Sequence, residues 1–565
     1  MVKKYPTVNC TRFTPNLVYL SGDLLKVRLP SSTRWLKRLQ LFKQCRYSAR
    51  VRNADRDGDR STKTVYTSPY FDDVIQLNET DDYVVVECYD KFNHVISRSY
   101  IHRIRKKLAT EAELRVSYEK HVGVHAPRET LSVMMVGIDG MSKQNLQRSM
   151  PKTRNFLLGP LKAIELHKYN KIGLNTFPNV VGLLMGKHEH EMNFSYSQPF
   201  DSLNDEFIWS EYRRAGYRTA LTFDMTGITA FHYLKLGWKK SPVDYYFREM
   251  VIDSEPDTLM RNQYQRCLGE VPEVDVLNDY FIQLASIFNN SKTEPYFAYS
   301  FAARLTHDDL NQASAGDELY YNFFNTLAER EVLNNTVLVF FSDHGERFGA
   351  IRSTYNGMIE GRTPHLLLVF PPWFHAKYPH LMDVLRINQQ RLTSHFDVHA
   401  TLRDLLYFKG ETGPGNITHR GISLFREIPR LRTCRHMGVS EENCVCNHLS
   451  PHAKVDPNLA QFLAMTLVNR VMDYTNQYRK NCSALTLKSI ETVMTISTPE
   501  NSNERYQLTI TTEPGSALYE GVVEMTQLKK ADVIGDVTRL NMYKGQAECI
   551  QNAFLRQFCY CHSES

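Results

Sequence analysis

No run of about 18 or more apolar residues occurs anywhere in the chain, so it offers no candidate membrane-spanning helix. The opening stretch, MVKKYPTVNCTRF, lacks the apolar core of a secretory signal. Low-complexity tracts and internal repeats are also missing, which leaves a folded globular protein. Charge of one sign is scarce: 68 basic and 62 acidic side chains give a formal net charge of only +6 over 565 residues. That balance gives no support to a nucleic-acid role. The densest basic cluster, RIRKK (Arg103 to Lys107), reads as the solvated face of a helix. Cysteine is almost absent from the middle of the chain, where Cys267 alone lies between Cys88 and Cys434.

What is present points elsewhere. The other ten of the eleven cysteines sit toward the two ends, a pattern that suits disulfides stapling the flanks of a stable core. A zinc reading of the Cys444/Cys446 and Cys559/Cys561 pairs is weaker, because C-x-C lacks the spacing usual for structural zinc. Asn-x-Ser/Thr sequons occur at Asn9, Asn78, Asn193, Asn289, Asn334, Asn416 and Asn481. Together these features predict an oxidising, glycosylating compartment: lumenal in the secretory pathway, or extracellular. A signal or anchor segment is then expected to be missing from this chain.

Three regions are expected. Residues 1–125 read as β-rich and irregular, with YVVVECYD (Tyr83 to Asp90) as a strand. Residues 126–424 alternate buried-type strands with helical patterns. The strands are SVMMVGID, GYRTALTFD, PYFAYSFAARLTH, NTVLVFFSDHG and PHLLLVFPP; LYYNFFNTLAEREVL (Leu319 to Leu333) is helical. That alternation predicts an α/β fold with a mostly parallel sheet covered by helices on both faces. Residues 425–565 read as a Cys-bearing α+β region with a helix in LAQFLAMTLVNRVMDYTNQY and period-two strands after it.

Ligands of such sheets bind beyond the C-terminal strand ends, where Asp139, His307, Asp343 and His344 would gather. A carboxylate and an imidazole side by side at a strand end can both reach a divalent cation, and Gly345 permits the turn. Oxygen and nitrogen donors together suit zinc or manganese. Thr176, in NTFPN, stands before an apolar run. As a helix, that run would place its N-terminal amides where an anionic substrate sits. An alcohol is a weak nucleophile that a divalent metal activates. Asn179 could donate a hydrogen bond to the same oxygen.

The set GIDGMS, NTFPNVVGLLMG and SDHGE resembles the alkaline phosphatase superfamily, which includes nucleotide pyrophosphatase/phosphodiesterases, sulfatases and phosphoethanolamine transferases. MPKTRNFL, THDDLN, SDHGERFG and the tail RGISLFREIPRLRTC with its C-x-C partner resemble one branch more closely, the sulfatase-like DUF229 family of nematodes and insects. The resemblance spans roughly Cys10 to Cys482. It implies an alkaline-phosphatase-like fold in which Asp139, Thr176, Asp343 and His344 hold one divalent metal, with Thr176 as nucleophile. For a second metal, relatives carry an Asp and a His four residues apart plus a later His. Here His307 matches the first His, Ala303 stands at the Asp position, and His395 is the best match for the later His. A single ion fits better, with His307 and Arg304, Arg347 or His395 contacting the substrate anion.

Formylglycine sulfatases need Cys or Ser in a C/S-x-P-x-R context, whereas this chain has Thr176, Pro178 and no Arg two residues after the Pro. The expected function is a metal-dependent phosphodiesterase or phosphotransferase that passes through a covalent phospho-enzyme. Its substrate is a phosphoester, glycan- or lipid-linked in one version. The alternatives are an inactive ectodomain that binds glycan or protein, and an unconventional sulfatase.

Overall fold

The computed structural model describes residues 3–11, 16–29, 41–260, 266–288, 291–446, 449–450, 455–496, 503–526, 528, 530–543 and 545–562. At its centre is a seven-stranded sheet in the spatial order Tyr245–Tyr246, Arg218–Phe223, Tyr296–Ala302, Ser132–Ile138, Thr336–Phe341, Leu366–Val369 and Ile164–Glu165. The four long central strands pair in parallel, and Leu366–Val369 runs antiparallel to Thr336–Phe341. Every residue of those four strands is buried. Both faces are covered, which is why these strands read as continuous apolar runs.

Alternate residues of Ser132–Ile138 feed different cores. Val133 and Met135 pack with the helices Thr176–Met185 and His395–Leu406. Met134, Val136 and Ile138 pack with Glu273–Ile287 and Ala313–Glu329 on the other face. The helix expected over Leu319 to Leu333 thus begins and ends earlier, and Val332 opens a short turn of its own. Gly137 pairs with Phe301 on one side and Phe341 on the other. A Cβ at Gly137 would come within 2.6 Å of both rings, so only glycine lets these strands lie in step. The aligned register brings Asp139 and Asp343 out on one edge.

Before the central sheet lie a four-stranded antiparallel sheet (Thr62–Thr67, Phe42–Arg52, Tyr83–Asp90, Val95–His102) and a smaller three-stranded one. The 18-residue helix Leu108–His125 follows, unforeseen because its buried residues are few, Leu114 and His121. RIRKK precedes this helix and is not a solvated helical face. Arg103 reaches Asp23 and the Asn78 carbonyl, Arg105 pairs with Asp82, Lys106 with Glu294, and Lys107 donates to the Asp244 carbonyl. Beyond the central sheet, the helix Pro457–Tyr474 packs on a five-stranded antiparallel sheet that includes Thr486–Ile496 and Glu504–Glu513.

Disulfides join Cys10 to Cys267, Cys45 to Cys88, Cys434 to Cys444, Cys482 to Cys559 and Cys549 to Cys561. The first ties the N-terminal segment to the central region. Three of the four C-x-C cysteines are thereby paired, and Cys446 is an exposed thiol. Among the sequon asparagines, Asn9, Asn78, Asn193, Asn334 and Asn416 are exposed and Asn481 is half-buried, while Asn289 lies outside the described residues.

Candidate active site

Thr176 is the first residue of its helix, following Asn175 in extended conformation, and the helix closes on Gly186 in the left-handed region. The Thr176 hydroxyl lies 3.3 Å from Asp139 Oδ2 and 3.5 Å from His344 Nε2. His344 Nε2 is in turn 3.2 Å from Asp343 Oδ2 and 3.8 Å from Asp139 Oδ1. Four groups on three separate segments therefore meet at the C-terminal edge of the sheet.

Backbone contacts hold them there. The Gly140 amide donates to Asp343 Oδ1, and the Asp139 amide to the Ala302 carbonyl. His344 Nδ1 lies 2.7 Å from the Gly345 carbonyl. A carbonyl only accepts, so Nδ1 carries the hydrogen and Nε2 faces the cluster with a free lone pair. Gly345 is needed for a reason other than its torsional freedom: a Cβ would sit 1.8 Å from the Glu360 carbonyl oxygen.

The cluster is buried, with Asp139 and Asp343 only 2% and 0% exposed. Among the described residues, Asp139 Oδ1 and Asp343 Oδ2 have no hydrogen-bond partner. Two buried carboxylates with unpaired oxygens are costly unless a cation compensates them. Burial and the charge of Asp343 accordingly push Asp139 well above the ordinary carboxylate range, and burial raises Asp343 too. Burial, together with the positive Arg347 and Lys171, drives His344 well below its usual value and keeps it neutral. Asp139, Asp343 and His344 each offer a donor atom within 4.8 Å of the others. Two carboxylate oxygens, an imidazole nitrogen and an adjacent hydroxyl form a donor set that fits a divalent ion such as zinc or manganese.

A cavity of about 210 Å³ opens on Asp139 and Thr176. His307 and Arg347, both expected at the site, line it. His307 Nδ1 lies 2.9 Å from Asp308 Oδ1, and the Arg347 guanidinium rests 4.8 Å from the centre of the Phe348 ring.

Three expected residues are placed differently. Arg304 was expected to contact the substrate anion, but it is turned into the protein, donating to the Asp224 carbonyl and pairing with Glu255 and with Glu273 at 2.8 Å. Asn179 was expected to donate to the reacting oxygen. Its amide instead donates to the Gly173 and Asn175 carbonyls, and its oxygen accepts from the Ile172 and Gly173 amides. It braces the loop that carries Thr176. His395 is fully buried against Tyr169 and does not line the cavity. Burial lowers it to about 3, so it is neutral. Among the described residues, His307 and His395 form no second metal-competent group.

Sequence reasoning missed other cavity residues. Lys235 is 6% exposed, with its ammonium 4.1 Å from the Phe177 ring centre. Thr229 also lines the cavity, as do Tyr543, Glu548 and Arg556 from the far end of the chain. No local motif marks them, because only tertiary folding brings Tyr543, Glu548 and Arg556 to the cavity beside the strand ends.

The fold and site define an α/β protein with a threonine at the first position of a helix, set beside a buried, metal-competent carboxylate cluster. The chain belongs to the family described as "Protein of unknown function (DUF229)", whose model matches residues 13–491. No curated protein matches it. Among solved structures it is similar to the lipoteichoic acid synthase LtaP of Listeria monocytogenes, at 11% identity over 52% of this chain and 78% of that one (TM-score 0.34). It is also similar to a protein in the alkaline phosphatase superfamily from Vibrio parahaemolyticus, at 9% identity over 76% and 92% (TM-score 0.37). The PsFucS1 sulfatase of Pseudoalteromonas sp. is a third, at 11% identity over 54% and 72% (TM-score 0.32).

Proposed function

We propose that this chain is a metal-dependent phosphoester hydrolase or phosphotransferase that works through a covalent phosphothreonine on Thr176. The observation that carries this reading is the Thr176 hydroxyl, set at a helix N-terminus within 3.5 Å of both Asp139 and His344. One divalent ion held by Asp139, Thr176, Asp343 and His344 would supply Lewis acidity and lower the pKa of the hydroxyl.

Thr176 Oγ attacks phosphorus and releases its proton to solvent in the cavity, the Oγ–P bond forms, and the ester bond to the leaving oxygen breaks. His307, in the cavity wall, gives a proton to that leaving oxygen. Arg347 and the amides of the first helical turn offset charge on the nonbridging oxygens. Water, or a hydroxyl on a glycan- or lipid-linked acceptor, then attacks phosphorus and gives its proton to His307; the Oγ–P bond breaks and Thr176 regains a proton from solvent. Formylglycine chemistry is not supported, since Thr176 fills the position of the modified residue and Val180 that of the Arg. The five disulfides and the exposed sequons support a secreted or lumenal site of action.

The test is release of 4-nitrophenol from bis(4-nitrophenyl) phosphate by the metal-loaded protein. Thr176→Ala is expected to lose at least about a thousandfold in turnover. Undiminished activity in that variant would sink the mechanism. A wild-type protein that recruits no transition metal would favour the inactive binding ectodomain instead.

A further inference from the structure

The cavity wall holds a second arrangement, away from the metal-competent cluster. Thr229 lines the cavity, and its Oγ1 lies 2.8 Å from His232 Nδ1. His232 Nε2 lies 3.0 Å from Asp59 Oδ2, a residue of the N-terminal β-rich region 173 positions earlier. Asp59 Oδ2 also accepts from the Trp238 amide at 2.9 Å and the Tyr246 hydroxyl at 2.8 Å, and Oδ1 pairs with Arg52 at 2.7 Å. All three residues are buried.

Two glycines permit this approach. Gly237 has φ +65°, and a Cβ there would fall 2.4 Å from Asp59 Oδ2 and 2.5 Å from His232 Nε2. Gly58 has φ +64°, with the Trp238 carbonyl 2.9 Å from where its Cβ would be.

The proton inventory fixes the direction of each bond. Every group around Asp59 is a donor, so it is an ionised acceptor; although burial opposes this, His232, Arg248 and Arg52 hold it below its ordinary value. Burial and Arg248 push His232 down to about 4, which leaves it neutral at pH 7. A neutral imidazole has one N–H, and Asp59 has no proton to give, so Nε2 donates and Nδ1 accepts. The Thr229 hydroxyl must spend its hydrogen on Nδ1. Its oxygen is left as an acceptor only.

An acceptor in a ligand cavity selects a donor on the ligand, either a hydroxyl or an ammonium. Lys235, Arg347 and Arg556 line the same cavity and outnumber Asp308 and Glu548, the two carboxylates there outside the metal-competent cluster, which disfavours an ammonium. We propose that Thr229 is a specificity-determining residue whose oxygen accepts a hydrogen bond from a hydroxyl of a polyol or sugar group on the phosphoester ligand, with His232 and Asp59 as positioning residues that fix its polarity. This rests on the phosphoester reading of the site.

The test is calorimetric binding of two monoesters of one ring skeleton, myo-inositol 1-phosphate and cyclohexyl phosphate, to the zinc-loaded full chain. Wild type is expected to prefer the inositol ester by about fivefold to tenfold, the size of one net hydrogen bond. Thr229→Val should abolish the preference and Thr229→Ser should restore it. His232→Phe, which frees the hydroxyl to turn, should narrow the preference while leaving the zinc-induced rise in Tm intact. Equal binding of the two esters to wild type, or a preference that survives Thr229→Val, overturns this inference alone. Failure of both phosphates to bind overturns the phosphoester reading and this inference with it.

Discussion

The hydroxyl of Thr176 stands 3.3 Å from Asp139 Oδ2, although 37 residues of chain separate them. One residue directly follows a buried strand and the other begins a helix on one of the sheet's two covered faces. The contact exists because strand ends and helix starts share an edge in a parallel sheet.

Metal binding should be visible as stability. Burial and Asp343 raise Asp139 in the folded state. A raised folded pKa gives stability that is full below the unfolded value of about 3.9 and is lost as pH rises through the folded one. Without a cation the protein should therefore weaken from acid toward neutral pH. At pH 7.5, zinc or manganese at about a hundred times Kd should add about 2.7 kcal/mol. Asp343→Asn should remove that gain, read as the metal-dependent change in Tm.

Anion binding should depend on Lys235. Burial lowers its ammonium to about 8, with Glu189 acting in the opposite direction. The cationic form exists below that value, so affinity for inorganic phosphate should fall as pH rises from 7 to 9. Lys235→Gln should bind phosphate weakly and lose that pH dependence, as measured by calorimetry.

Asn179 should matter through the loop rather than through the reaction. Asn179→Ala leaves the Ile172 and Gly173 amides and the Gly173 and Asn175 carbonyls without their partner. A loss of about 3 kcal/mol in urea unfolding is expected from unsatisfied buried groups. A variant as stable as wild type with reduced turnover would instead give the amide a direct role.

Much of this protein is legible in its sequence because the physics is local. Unbroken apolar strands such as SVMMVGI and TVLVFF imply a sheet covered on both faces, and a polar residue ending each of them implies a shared edge. Thr176 before an apolar run ending at Gly186 implies a capped helix. Side-chain direction was not legible. Arg304 and Asn179 sit close in sequence to site residues, yet their polar atoms are consumed by Glu273 and by the loop backbone. Nor could any spacing place Asp59 against His232, or Arg556 in one cavity wall with Thr176, since each pair lies far apart in the chain. The sequence by itself determined the sheet, its edge and the metal-competent residues. Tertiary packing alone decided which charged groups face the cavity, because most buried polar atoms are drawn to whatever partner the fold supplies.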